Sequence, residues 1–290
     1  MKIQGGILLL ALCVFAATAN AIVNGKDVGL KIHPEAAKIL ITARNAQNNK
    51  MTFACTGVFI SNSVLLTAGH CAPDVLSGER INPKNIILYS FGDKPLKHPV
   101  HAIAFDSQFS LTGEEIGRQL AARDQKFKKY LLQAPNCYSV PLPLLSPNSP
   151  DLALISFPPH TSDHFTKVDF NYVPHLGDKV SFVGFGTSVD PFAYGSFGGS
   201  LNTQKRLGTS TVMRVSDEYA GIKAPANKAY AAPGDSGSPV YYNGQLVGIM
   251  SYMDTDCESK WGSDFGILNT FTYFSSKNAA QFLMNSKLIQ

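Results

Sequence analysis

Charge is scarce in this chain of 290 residues: Asp, Glu, Lys and Arg make up 16% of it and leave a formal net charge of +4. The basic residues are dispersed, with no Lys/Arg run of the kind that grips a phosphate backbone, so no nucleic-acid partner is expected. The short stretch Lys126-Phe127-Lys128-Lys129 reads as a solvated helix face. Long hydrophobic runs are also missing. The most apolar stretch, Ile7 to Ala17, falls short of the ~20 residues that span a bilayer as a helix. Cysteine is limited to five positions, and no two have the C-x-x-C spacing of a zinc or redox centre. His98/His101 and His160/His164 have spacings a metal could use, but neither pair has a third ligand close in sequence, so no metal and no cofactor is expected. Disorder is excluded by the 44% hydrophobic content.

The N-terminus reads as a processing signal. Lys2 supplies a positive charge, the run from Ile7 to Ala17 follows, and Ala19-Asn20-Ala21 has the A-x-A form of a cleavage site. Residues 1–21 are therefore expected to be removed. That leaves a secreted domain of residues 22–290, extracellular or periplasmic, without membrane attachment. Cys13 departs with the signal. Cys55, Cys71, Cys137 and Cys257 remain, an even number that suggests two disulfides with three possible pairings.

The remainder reads as short strands between turns. Segments 36–43, 52–60, 63–68, 85–91, 99–105, 151–157, 178–185, 207–215, 238–242, 245–252 and 264–271 are rich in Val, Ile, Leu, Phe or Tyr and bounded by turn formers. Several alternate, as in Lys179-Val180-Ser181-Phe182-Val183. Many short strands with brief connections predict an all-β barrel or sandwich, not a doubly wound sheet. Two segments depart from this pattern. Residues 112–133 carry a capping-box pair, Thr112 and Glu115, and place Ile116, Leu120, Phe127 and Leu131 on one helical face. Residues 276–287 predict a C-terminal helix. The Gly/Ser/Thr-rich stretch 186–206 reads as a long surface loop.

Three motifs carry chemistry, in this order: Thr67-Ala68-Gly69-His70-Cys71, then Asp151-Leu152-Ala153-Leu154-Ile155, then Gly234-Asp235-Ser236-Gly237-Ser238-Pro239. A serine hydroxyl is a weak nucleophile at neutral pH and needs a base; imidazole suits because its pKa lies near the working pH. A carboxylate on the other ring nitrogen fixes the tautomer. Together the motifs resemble the chymotrypsin/trypsin family of serine proteases over nearly the whole chain after residue 21. The His, Asp, Ser order separates them from the subtilisin and α/β-hydrolase orders. The resemblance implies two six-stranded antiparallel β-barrels with the active site between them, the helix near 112–133 being an insertion. It implies His70, Asp151 and Ser236 as catalytic residues, and the Gly234 and Ser236 N–H groups as the oxyanion hole.

A fourth motif, Ile22-Val23-Asn24-Gly25, resembles the mature N-terminus of the family, where the freed amine pairs with the aspartate before the nucleophile, here Asp235. The A-x-A site abuts Ile22 directly, so signal removal is expected to free this amine without a separate propeptide. Cys55 and Cys71 flank the His70 motif at the family's spacing and are expected to be bridged. The family bridge beside the nucleophile is absent, since Ala232 stands in its place. Cys137 and Cys257 are left as a possible second pair. Alignment from Ser236 makes Tyr230 the base of the specificity pocket, with Ser251, Met253 and Gly266 on its walls. Tyr230 is not an acid, and Met253 narrows the mouth, so a non-tryptic preference for small or medium apolar side chains is implied. The expected partners are protein or peptide substrates, with the protein acting as a monomer. The alternative is a catalytically silent homologue used as a binding module.

Overall fold

Alternation of apolar and polar residues gives each strand one face to bury, and the strands satisfy this in two antiparallel sheets. The computed structural model describes residues 22–44, 50–72, 86–89, 99–105, 150–186, 204–224, 229–255 and 267–289. A two-residue strand, β1 (Lys26–Asp27), leads into the first sheet. That sheet comprises β2 (Ala36–Arg44), β3 (Lys50–Phe59), β4 (Val64–Ala68), β5 (Ile86–Tyr89), β6 (Ala102–Phe105) and β7 (Leu152–Ser156), in the order β5-β2-β3-β4-β7-β6.

The second sheet contains β8 (Lys179–Gly184), β9 (Arg206–Val215), β10 (Tyr219–Ala224), β11 (Pro239–Tyr242), β12 (Gln245–Thr255) and β13 (Ile267–Tyr273). Pairing of β8 with both β11 and β9 closes these six strands into a barrel, and β1 adds to β9 from outside. A C-terminal helix, α1 (Lys277–Asn285), follows with Ala279 and Leu283 buried. The fold is thus mostly β, of chymotrypsin-like type, as the resemblance implied. The expected helix at 112–133 lies outside the described residues.

The core of the first sheet includes Ile39, Ile41, Leu65, Leu66, Leu88 and Leu154, each fully buried. The same apolar cluster continues through Val183, Phe185, Ile249 and Phe274 of the second half and reaches Leu283 of α1. A separate core fills the second barrel with Phe182, Val212, Ile222, Val240, Val247 and Phe271. Burying each such side chain contributes roughly 1.5–3 kcal/mol before chain entropy is charged against it. Because one cluster crosses between the sheets, residues from both halves are held in fixed relation where the sheets meet.

β10 was not expected from the sequence. Tyr219-Ala-Gly-Ile-Lys-Ala is poor in β-branched residues, and tertiary pairing supplies what propensity lacks: β10 lies between β9 and β13 and pairs with both.

Candidate functional site

Topology brings His70 and Asp151 together. β4 runs antiparallel to β7, with Ala68 opposite Leu152, so the residue leaving β4 and the residue entering β7 meet at one end of the ladder. A single 3-10 turn, Gly69–Cys71, then projects His70. The Gly69 N–H donates to the Asp151 carbonyl at 2.8 Å. Asp151 itself sits at φ +47°, a conformation uncommon for non-glycine residues.

The Asp151 side chain is fully buried and accepts from several donors. His70 backbone N–H donates to Oδ1 at 2.8 Å, and His70 Nδ1 lies 3.0 Å from Oδ2 and 3.2 Å from Oδ1. The hydroxyl of Ser251, buried on β12, donates to Oδ2. Burial alone would lower the pKa of His70, but the Asp151 charge and hydrogen bond outweigh it and raise it. The imidazolium form is thereby favoured. The Nε2 edge of His70 has no hydrogen-bond partner among the described residues.

Ser236 lies in a tight loop between a bridge at Tyr230 and the start of β11. Two turns build it: Asp235 N–H donates to Ala232 O and Ser238 N–H to Asp235 O, both at 2.9 Å. Gly234 (φ +98°) and Gly237 (φ +85°) occupy the left-handed conformations these turns require. At Gly237 space is also decisive, since a Cβ there would sit 2.0 Å from Thr56 O. That approach seats the loop against β3, next to the strand that delivers His70. The Thr56 N–H donates to Ser236 O at 2.8 Å, and Gly237 N–H donates to Met250 O at 2.8 Å.

Asp235 is completely buried beneath this loop. Its oxygens accept from Gly186 N–H (2.8 Å) and Ala232 N–H (2.9 Å), with a further hydrogen bond from the Ile22 backbone N–H. Burial dominates these bonds and raises its pKa to about 7. Ile22 is also fully buried, and its carbonyl accepts from Gly25 N–H at 2.9 Å and Arg206 Nη1 at 3.1 Å. Val23 bridges Tyr230, whose N–H donates to Val23 O at 3.1 Å. The segment beginning at Ile22 is thus tied to the Ser236 loop through Asp235 and through Tyr230.

Tyr230 is buried against Val23 and Ala232. Met253 lies on β12 opposite Asn269 of β13, two residues beyond Ser251. Gly266, Cys137 and Cys257 fall outside the described residues. Cys55 and Cys71 form a disulfide, joining β3 to the turn that carries His70.

Sequence reasoning overlooked two residues. Thr56 contacts three backbone groups around the Ser236 loop. Buried Asn269 grips the Ala231 peptide from both sides, accepting from its N–H at 2.9 Å and donating to its carbonyl at 3.1 Å. This clamp ties β13 to the segment just before Ala232. The signal for both residues was weak: each is a polar residue in an apolar strand, which only the tertiary partner explains.

Comparison with known proteins bears on the family and the fold. The family model described as a trypsin-like peptidase domain matches residues 55–249. An uncharacterized peptidase of Corynebacterium glutamicum (strain R) is 23% identical over 253 residues, covering 85% of this chain and 67% of that protein. Among solved structures, the scabies mite inactivated protease paralogue S-D1 superposes with a TM-score of 0.59 at 16% identity, covering 93% of this chain and 99% of its own. Human heparin binding protein gives 0.57 at 15% identity, covering 91% and 98%. The mite paralogue S-I1 gives 0.55 at 16% identity, covering 90% and 97%.

Proposed function

The chain belongs to the trypsin-like peptidase family, and from that premise we propose that it is a secreted serine endopeptidase acting through Ser236, His70 and Asp151. The observation that carries this reading is the buried Asp151 carboxylate, held by Ser251 and the His70 backbone while it receives His70 Nδ1. A carboxylate so held fixes the ring with Nε2 free to accept the Ser236 proton.

In the proposed reaction Ser236 Oγ attacks the scissile carbonyl carbon as its proton passes to His70 Nε2. The carbonyl oxygen becomes an oxyanion facing the N–H groups of Gly234 and Ser236. Neither group has a hydrogen-bond partner among the described residues. Each such donor is worth on the order of 3 kcal/mol in the transition state. Collapse breaks the C–N bond, and His70 returns the proton to the leaving amine, leaving an acyl ester on Ser236. Water then attacks the ester carbonyl as its proton passes to His70; collapse breaks the bond to Ser236 Oγ, which takes that proton back from His70 as the acid is released.

The pocket positions that the resemblance assigns to Tyr230 and Met253 support cleavage after small or medium apolar side chains. Removal of residues 1–21 would convert the Ile22 amide into an ammonium already positioned at Asp235. A peptide-library digest tests the specificity: cleavage after apolar residues, abolished by Ser236→Ala, is expected, and a preference for Arg or Lys would refute it. A second reading, a silent homologue that binds without cleaving, is favoured by the inactivated paralogues among the structural neighbours and by the buried Tyr230. It predicts no turnover with any peptide.

A further inference from the structure

Thr56 engages the nucleophile loop from across the junction between the two sheets. It follows Cys55 on β3, is fully buried, and has each of its three polar atoms hydrogen-bonded. Its hydroxyl donates to Gly234 O at 3.0 Å and accepts from Phe185 N–H at 3.2 Å. Its N–H donates to Ser236 O at 2.8 Å. Its carbonyl accepts from Thr67 Oγ1 at 2.7 Å, which steadies Thr56 against β4, the strand leading to His70.

These contacts fall on alternate peptide groups. The peptide joining Gly234 to Asp235 is held at both ends: its carbonyl by the Thr56 hydroxyl, its N–H by Ala232 O. The peptide joining Ser236 to Gly237 is likewise held, its carbonyl by Thr56 N–H and its N–H by Met250 O. The N–H groups of the peptide between these two, that of Ser236, and of the peptide just before them, that of Gly234, have no partner among the described residues. Gly234 has no Cβ to resist rotation and already lies at φ +98°. The Thr56 hydroxyl therefore supplies a barrier to peptide rotation that the residue itself lacks.

We propose that Thr56 is a positioning residue that keeps the Gly234 and Ser236 N–H groups convergent by fixing the carbonyl of Gly234. The inference rests on the peptidase reading for its catalytic consequence. It does not touch substrate, so its loss acts on the transition state, where the oxyanion forms, and little on ground-state binding.

The test compares wild type, Thr56→Val and Thr56→Ser, all as the processed chain. Thr56→Val keeps the shape and deletes the hydroxyl; Thr56→Ser keeps the hydroxyl. Thr56→Val also strands the Phe185 N–H, so all three are assayed at a temperature where each is fully folded. Complete loss of an oxyanion donor costs ~100-fold to ~1,000-fold in kcat, and a loosened loop is expected to cost ~10-fold to ~100-fold, with KM little changed. Thr56→Ser is expected to restore kcat. In parallel, the carbonyl 13C resonance of Gly234 is expected to move in Thr56→Val and to return in Thr56→Ser. An unchanged kcat, a loss confined to KM, failure of serine to rescue, or an unmoved Gly234 resonance would each overturn the inference. A wild type with no turnover would instead overturn the peptidase reading and Thr56's catalytic role with it. The Gly234 resonance would still decide whether Thr56 holds the loop.

Discussion

A free amine at Ile22 should change the stability of this protein as well as its activity. Asp235 is wholly buried, and in the full-length chain its third donor is the uncharged Ile22 amide. Burial holds its pKa at about 7 against an ordinary value of 3.8. The folded-state pKa lies above the unfolded one, so the fold favours the protonated acid. The associated stability is present below pH 4 and is lost as pH rises through 4 to 7. Three pKa units correspond to roughly 4 kcal/mol, an upper value because local relaxation and water entry reduce it. Converting the Ile22 amide to an ammonium gives the carboxylate a partner charge and removes this loss.

The comparison is between a chain beginning at Ile22 and one retaining Ala21, each unfolded in urea from pH 4 to pH 8. The Ala21 chain should lose stability across that range by up to about 4 kcal/mol more than the Ile22 chain. Asp235→Asn in the Ala21 chain should remove the excess of its slope over that of the Ile22 chain, leaving the slope that other groups such as His70 contribute to both. Parallel pH profiles for the two chains, or an excess slope that survives Asp235→Asn, would refute the reasoning.

Other consequences follow from the same structure. Burial would raise the pKa of Glu35, but hydrogen bonds from His33 (3.1 Å) and Tyr241 (2.5 Å) hold it at about 2 against an ordinary 4.5. Its stabilisation is present above pH 4.5 and lost as pH falls towards 2. Wild type should therefore lose up to roughly 3 kcal/mol more than Glu35→Gln over that interval, less the solvent screening of a partly exposed carboxylate, read from acid-unfolding curves. Replacing both Cys55 and Cys71 with Ala opens a loop of sequence separation 16 and should cost about 3 kcal/mol in urea unfolding. Ser251→Ala removes a donor to the Asp151 carboxylate. A hydrogen bond to a charged group is worth about 1.5–3 kcal/mol, so kcat should fall at least about tenfold; an unchanged kcat would remove Ser251 from the orienting network.

Much of the fold was legible because strand periodicity is local. β4 reads from Val64-Leu-Leu-Thr-Ala alone, and all five residues are buried. β10 was not legible, because its stability lies in two neighbouring strands and not in its own residues. The helix α1 was expected at 276–287 and is found at Lys277–Asn285. At the site, the sequence motifs named His70, Asp151, Ser236 and Asp235, since each is the polar centre of a recognisable string. Thr56 and Asn269 could not be found this way. Their roles exist only through backbone groups 178 and 38 positions away in sequence. Ser251 was expected as a pocket wall; its bond to Asp151, 100 positions away, adds an orienting role that spacing could not reveal.

The most direct measurement is covalent labelling of the processed protein with a fluorophosphonate probe, followed by mass spectrometry of the labelled peptide. A serine activated by His70 should take the probe at Ser236, with His70→Ala labelling far more slowly and Ser236→Ala not at all. Correctly processed wild type that remains unlabelled, or is labelled at another residue, would contradict the assignment of Ser236 as the nucleophile.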